Sequence, residues 1–145
     1  SGLSASLARK LSERGVKVAL AARRVDKLAA LAQETGAKTY QCDASDPASV
    51  DALFTAVDKE LGEPELVIYN PSYMQRGALT ELDDAVVEKA IMVSGYGGYL
   101  VAQRAAKRME PKNRGTILFT GASASIKGFA RSAPFAMGKF ALRGL

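Results

Sequence analysis

Residues 46–70, DPASVDALFTAVDKELGEPELVIYN, carry the pattern that decides the fold. Asp46 stands at a helix N-cap, and Pro47 follows at the first helical position, where its missing N–H costs nothing. Val50, Leu53, Phe54, Val57 and Leu61 then recur at three- and four-residue spacing, one apolar face that Gly62 terminates. Leu66-Val67-Ile68-Tyr69-Asn70 is a short, continuous apolar run of the kind found in strands buried on both faces. A helix delivering such a strand is one arm of a crossover unit.

The same alternation extends in both directions. Toward the N-terminus, Leu3, Leu7 and Leu11 mark a helix closing at Gly15, and Val16 to Ala22 reads as a strand. A second helix carries Leu28, Leu31 and Ala32 to Gly36, and Thr39 to Asp43 is the next strand. Toward the C-terminus, an irregular stretch from Pro71 to Ala78 precedes a helical region capped by Thr80. That region runs to Met109 with a break near Ser94 to Gly98. Pro111 and Gly115 turn the chain into a strand over Thr116 to Thr120, and a last helix begins at about Phe135. Strands alternating with helices imply parallel pairing, hence an α/β fold: a doubly wound (Rossmann-type) parallel sheet with helices on both faces. Ligands of such sheets gather at the carboxyl ends of the strands, which here means the residues just after Ala22, Cys42, Tyr69 and Thr120.

Composition narrows the chemistry. A chain of 145 residues, 48% hydrophobic and 24% charged, has the size and makeup of one soluble globular domain spanning residues 1–145. With no His and one Cys, a Ser-His-Asp or Cys-His nucleophile system, a Cys/His zinc site and an internal disulfide are all excluded, and no metal is expected. Hydroxyls, carboxylates, lysines or a borrowed cofactor remain. The net charge of +5 points to an anionic ligand, but the basic residues are scattered, with short pairs only at Arg23-Arg24 and Lys107-Arg108. Nucleic acid is therefore not the expected partner. No run is long and apolar enough for a membrane span, and no signal-peptide pattern opens the chain, so a cytoplasmic location is expected.

At the four strand ends the sequence resembles the short-chain dehydrogenase/reductase family. Ser1-Gly2-Leu3-Ser4-Ala5-Ser6-Leu7-Ala8 is similar to the second half of the family's glycine-rich turn and the helix it feeds, with Gly2 at the middle glycine and Ser4 at the last. The resemblance implies that Gly2, Leu3 and Ser4 lie against a dinucleotide pyrophosphate. It also implies that the first strand precedes Ser1 and that the family's last strands and substrate-binding loop follow Leu145, so the domain is partial. The second strand of the family reads the adenosine ribose at its end; here it closes Ala21-Ala22-Arg23-Arg24. No carboxylate is present for the free hydroxyls of NAD, and two guanidiniums suit the extra phosphate of NADP. NADP is the implied cofactor and NAD the less favoured one, although two arginines opening a solvated helix would look the same. Asp43 and Ala44 match the adenine-side position after the third strand, or else form an ordinary loop before the cap Asp46. Asn70, Pro71 and Ser72 stand where the family has its Asn-Ala-Gly segment beneath the cofactor, with Pro71 removing a backbone donor.

The family's reaction interconverts a carbonyl and an alcohol by hydride transfer, with a Tyr moving the proton and a Lys four residues later holding the nicotinamide ribose. A Ser orients the substrate oxygen and an Asn supports a water relay. A free phenol titrates near ~10, so the neighbouring ammonium is what brings it toward working pH. In this chain Lys139 keeps the Lys position, Phe135 occupies the Tyr position, and Ser94 the Asn position. Ser123 lies twelve residues before Phe135, at the Ser position, while a spacing of thirteen reaches Ala122. Phe135 cannot donate a proton. Tyr73 is the substitute hydroxyl, or else an aromatic lining the substrate pocket, and Ser123 with an ordered water is the other option. The resemblance thus implies an NADP-dependent oxidoreductase with an atypical active site acting on a small carbonyl or alcohol. The alternative is a catalytically silent NADP-binding sensor or scaffold. The resemblance also implies a homo-oligomer through the long helix, whose apolar stretch runs from Ile91 to Ala102, with a monomer equally consistent with the residues.

Overall fold

The computed structural model describes residues 2–145. Two compact units emerge, Ser1–Asp43 with Ala48–Pro64, and Ala44–Pro47 with Glu65–Leu145. Ser1, the first residue of the glycine-rich match, lies outside the described residues.

The first unit opens with helix α1 (Leu3–Glu13), which buries Ala5 and Ala8. Its end is set by Gly15, whose φ of 76° lies in the left-handed region that favours glycine. There Gly15 N–H donates to the Ser12 carbonyl and Val16 N–H to the Leu11 carbonyl, the paired closure of a Schellman turn. This accounts for the strand being shorter than the apolar run from Val16: β1 covers Ala19–Ala22 because Val16 is engaged by the helix end. A 3₁₀ turn (Val25–Leu28) leads into α2 (Ala29–Thr35), closed by Gly36 in the left-handed region. Strand β2 (Lys38–Gln41) pairs parallel with β1, from Ala19 opposite Lys38 to Ala22 opposite Gln41. Helix α3 (Pro47–Leu61) buries Val50, Phe54 and Val57, three of the five positions of the apolar face read from the sequence.

The second unit holds β3 (Leu66–Tyr69) and β4 (Thr116–Phe119), again parallel, with Leu66 opposite Thr116 and Tyr69 opposite Phe119. Helix α4 (Asp84–Ile91) is capped by Asp83, whose side chain accepts from Ala85 N–H at 2.8 Å. The cap expected at Thr80 is thus three residues early. Thr80 lies in a 3₁₀ turn (Leu79–Glu81) followed by an extended Leu82, and the carboxylate at 83 meets the helix N-terminus with a full charge. The break expected near Ser94 is a π-helical turn (Met92–Tyr96) between α4 and α5 (Gly97–Met109). Within this turn the Val93 carbonyl accepts from the buried Tyr69 hydroxyl. Helix α6 (Ala133–Arg143) starts at Ala133, two residues ahead of the position expected from the sequence, with Pro134 in its first turn.

Packing in this unit depends on close helix approach. A Cβ at Gly138 of α6 would stand 2.7 Å from Ser94 Cβ and 2.8 Å from the Ala90 carbonyl oxygen; one at Gly95 would stand 2.7 Å from Ala141 Cβ. Side chains at these positions would force the helices apart. Tyr69, Ala90, Leu100, Val101, Ala105, Met109, Ala136 and Leu142 form the apolar core around that contact.

Candidate active site

Parallel pairing sends the chain out of β3 and β4 at the same edge, and the second unit's candidate residues collect there. Thr120 N–H donates to the Tyr69 carbonyl, continuing the ladder one step beyond the strands. The Thr120 carbonyl in turn accepts from Lys139 Nζ at 2.7 Å. Lys139 is only 3% exposed, and burial pushes its ammonium below the ordinary lysine range. A buried cation on one carbonyl, with no carboxylate paired to it among the described residues, is a costly arrangement. It contrasts with the solvated helix lysine that the residue type alone favours.

Phe135 lies one helical turn before Lys139, its ring centroid 5.8 Å from Nζ. It is half-buried. By residue type Phe135 would be a buried aromatic on one helix face with Leu142; instead the inward face of α6 consists of Pro134, Ala136, Gly138, Lys139 and Leu142. Small residues hold that face because α6 lies tight against α4 and the π-turn, which leaves the ring on the flank over the ammonium.

Ser94 is fully buried in the π-turn against Gly138, the neighbour of Lys139. Its Oγ accepts from Tyr73 N–H at 3.4 Å. This anchors the loop after β3. Tyr73 itself is half-buried, and Lys89 Nζ lies 5.3 Å from its ring centroid. Asn70 is half-buried, while Pro71 and Ser72 are exposed. Ala44, on the short segment that belongs to this unit, approaches α5 so closely that a Cβ at Gly97 would stand 2.8 Å from its carbonyl oxygen.

Ser123 opens a 3₁₀ turn (Ser123–Ser125) and is exposed. Its carbonyl accepts from Ile126 and Lys127 N–H. Ser125 is the residue that sequence reasoning missed. It is buried, and its Oγ accepts from Ala122 N–H at 3.0 Å, fixing the turn on which Ser123 and Ala122 are carried. The only sequence signal was a fourth small residue in Ala122-Ser123-Ala124-Ser125, too generic to single out.

In the first unit, Gly2 caps α1 with φ 88° and ψ −177°, a conformation that favours glycine, and a Cβ there would meet nothing within 4 Å. Leu3 and Ser4 are exposed in the first turn. The helix start therefore offers open space and oriented N–H groups, the environment an anionic phosphate requires. Arg23 and Arg24 leave the end of β1, both exposed. Arg24 pairs with Asp26 at 3.2 Å, whereas Arg23 has no carboxylate partner among the described residues. Asp43, after β2, is half-buried, and its N–H donates to Ser49 Oγ at 2.9 Å. These donors fit the phosphates of a dinucleotide: a glycine start without steric obstruction and an uncommitted guanidinium.

Among the described residues no cluster of three or more His, Cys, Asp or Glu side chains could hold a metal ion, and Cys42 is buried outside any disulfide. Among the described residues no helix is long and apolar enough to cross a membrane.

Comparison with known proteins agrees with this geometry. The whole chain, residues 1–145, matches the family model described as Enoyl-(Acyl carrier protein) reductase. It is 28% identical over 144 residues to the 3-oxoacyl-[acyl-carrier-protein] reductase MabA of Mycobacterium bovis, covering 99% of this chain and 56% of that protein. It is 25% identical to the granaticin polyketide synthase putative ketoacyl reductase 1 of Streptomyces violaceoruber, covering 100% of this chain and 56% of the relative. The chain thus spans about half the length of these curated relatives. Among solved structures, a short-chain dehydrogenase from Rhodopseudomonas palustris superposes with a TM-score of 0.90 at 30% identity, covering 97% of this chain and 68% of that one. A metagenomic short-chain oxidoreductase in complex with NADP superposes at 0.93 with 29% identity, covering 99% and 68%. The parallel α/β architecture, of Rossmann type, and the full-length family match together place this chain in the short-chain dehydrogenase/reductase family.

Proposed function

We propose that the protein is an NADP-dependent oxidoreductase that interconverts a carbonyl and an alcohol on a small molecule, through an active site that lacks the usual phenol. One observation carries the reading: a lysine buried to 3% exposure and bonded to the Thr120 carbonyl at the strand edge. A fold disfavours such a charge unless it serves something, and the donors it retains suit a ribose hydroxyl. When bound, the nicotinamide supplies or accepts the hydride. In the first unit, Gly2, Leu3 and Ser4 would hold the pyrophosphate and Arg23 the 2′-phosphate, with Arg24 and Asp43 beside them. In the second, Lys139 would hold the nicotinamide ribose, and Asn70, Pro71 and Ser72 would line the cofactor side of the β3 loop.

The chain's own residues divide the remaining work. Ser123, exposed on a turn that Ser125 fixes, would hydrogen-bond the substrate oxygen. Ser94 fixes the Tyr73 backbone, and the Tyr73 hydroxyl takes the role of proton donor that Phe135 cannot fill. Phe135 instead shields the Lys139 ammonium from water on one side. The NADP complex of a related short-chain oxidoreductase supports the choice of cofactor. An oligomer formed through α5 is part of the same reading, supported by Tyr96 at the end of the π-turn and Tyr99 of α5 standing exposed and stacked on each other.

The test is turnover by the purified full-length protein with NADPH over a panel of ketones and aldehydes, alongside a direct NADPH titration. Binding with turnover is the expected result. Binding without turnover on any substrate would establish the silent sensor, a reading that the Phe at position 135 motivates. Absence of both would remove the proposal.

A further inference from the structure

The excess positive charge of the chain is confined to two stretches. Arg76, Lys127, Arg131, Lys139 and Arg143 fall within residues 66–80 and 115–145, where there is no Asp or Glu; the other 15 basic residues are matched by all 15 carboxylates. Two of the five are engaged. Lys139 is buried on Thr120, and Arg143 Nη1 lies 3.4 Å from the Ser125 carbonyl. Arg76, Lys127 and Arg131 are exposed, and no carboxylate pairs with them among the described residues.

These three cations stand on the loops that leave β3 and β4 at the candidate active-site edge. The loops are joined: Gly77 N–H donates to the Arg131 carbonyl at 3.0 Å. Apolar side chains are interleaved with the charges. Met74 is 57% exposed, Leu79 78%, Ile126 63% and Phe129 45%, and Lys127 Nζ lies 5.1 Å from the Phe129 ring centroid. Large apolar side chains scattered singly need no explanation, but four on two tied loops beside three unneutralised cations form a surface of mixed character. Its complement is a molecule with an apolar chain and a negative end.

We infer that these loops select the substrate, and that it is an oxo or hydroxy compound carrying an apolar chain and an anionic group, with Arg76, Lys127 and Arg131 facing the anion. The inference rests on the oxidoreductase reading for the chemistry but not for the binding. Three exposed cations are too few for a duplex-binding face, and the apolar neighbours would be stranded against phosphates.

The experiment is calorimetric titration of the full-length protein, with and without saturating NADPH, using 4-oxononanoate and its methyl ester as probes. The expected result is binding of the carboxylate at least about ten-fold tighter than the ester, falling as salt is raised. Arg76→Gln, Lys127→Gln and Arg131→Gln each reduce the preference about two- to five-fold, the worth of one exposed charge. The triple variant brings the ratio to about one while the ester affinity stays unchanged. Equal affinities in the wild type, no binding of either probe at millimolar concentration, or a preference that survives in the triple variant would overturn the inference. So would cosedimentation with phosphatidylserine vesicles that the triple variant abolishes, which would assign the surface to a membrane. Failure of NADPH to bind, read in its own titration, counts against the oxidoreductase reading and leaves the carboxylate preference to be judged on the cofactor-free protein.

Discussion

Replacing Gly138 with alanine is expected to destabilise the protein by about 1–2 kcal/mol, against the usual gain from removing a helical glycine. In an open helix that exchange stabilises by up to ~1 kcal/mol. Here the new methyl would stand 2.7 Å from Ser94 Cβ, 3.0 Å from Ser94 Oγ and 2.8 Å from the Ala90 carbonyl oxygen. The last contact is backbone in α4, so a rotamer change cannot relieve it and α6 must move by some tenths of an ångström. Overpacking of this kind costs ~1–3 kcal/mol, which exceeds the propensity gain. Urea unfolding is the assay; with a slope of ~1–3 kcal/mol/M, the midpoint should fall by roughly 0.5–1 M. Gly128→Ala is the control, since a Cβ there meets nothing within 4 Å, and should stay within ~0.5 kcal/mol of wild type. Combining Gly138→Ala with Ser94→Gly removes two of the three obstacles and should recover about half of the loss in a double-mutant cycle. A Gly138→Ala protein as stable as wild type would refute the close contact, and with it the arrangement that sets Lys139 beside Ser94.

Other expectations concern the chemistry. Because burial holds Lys139 below the ordinary lysine range, the folded state binds this proton less readily than the unfolded one. Its contribution to stability should therefore rise with pH up to the normal lysine value near ~10.4. Urea midpoints of the wild type should gain on those of Lys139→Met between neutral pH and pH 10, whereas parallel curves would contradict the buried-ammonium assignment. Phe135→Tyr restores a phenol one turn before Lys139 and should raise the turnover rate with a ketone by about a hundred-fold, the lower end of the ~10²–10⁴ ascribed to a positioned acid. Tyr73→Phe should lower turnover by a similar factor with NADPH affinity intact; unchanged turnover would move the proton-donor role away from Tyr73.

Much of this was legible in the chain because the relevant physics is local. The Pro47 helix start, the Gly15 and Gly36 stops and the apolar runs at Leu66 and Thr116 depend on backbone freedom and side-chain period, which the sequence displays directly. The strand over Val16 to Ala22 was read too long because the Schellman closure of α1 consumes Val16, a hydrogen-bonding detail that hydropathy does not register. The π-turn is legible only as a break, and its contact with the Tyr69 hydroxyl, 24 residues away, leaves no local signal. Within the candidate site, family spacing points to Lys139 and Ser94. It could not reveal that Lys139 is buried, that Ser94 supports Tyr73, or that Phe135 sits on the flank of α6. Those facts follow from glycines that let two helices touch, and a glycine looks the same in sequence whether it closes a turn or admits a neighbour.

The central claim is most directly tested by paired titrations of NADPH and NADH into the wild type and into Arg23→Ala/Arg24→Ala, followed by nicotinamide fluorescence. The account predicts that NADPH binds tighter than NADH by about ten-fold or more, the worth of a charge-assisted phosphate contact, and that the double substitution erases the difference by weakening NADPH alone. Failure of either dinucleotide to bind, or an NADPH preference untouched by loss of both arginines, would contradict it.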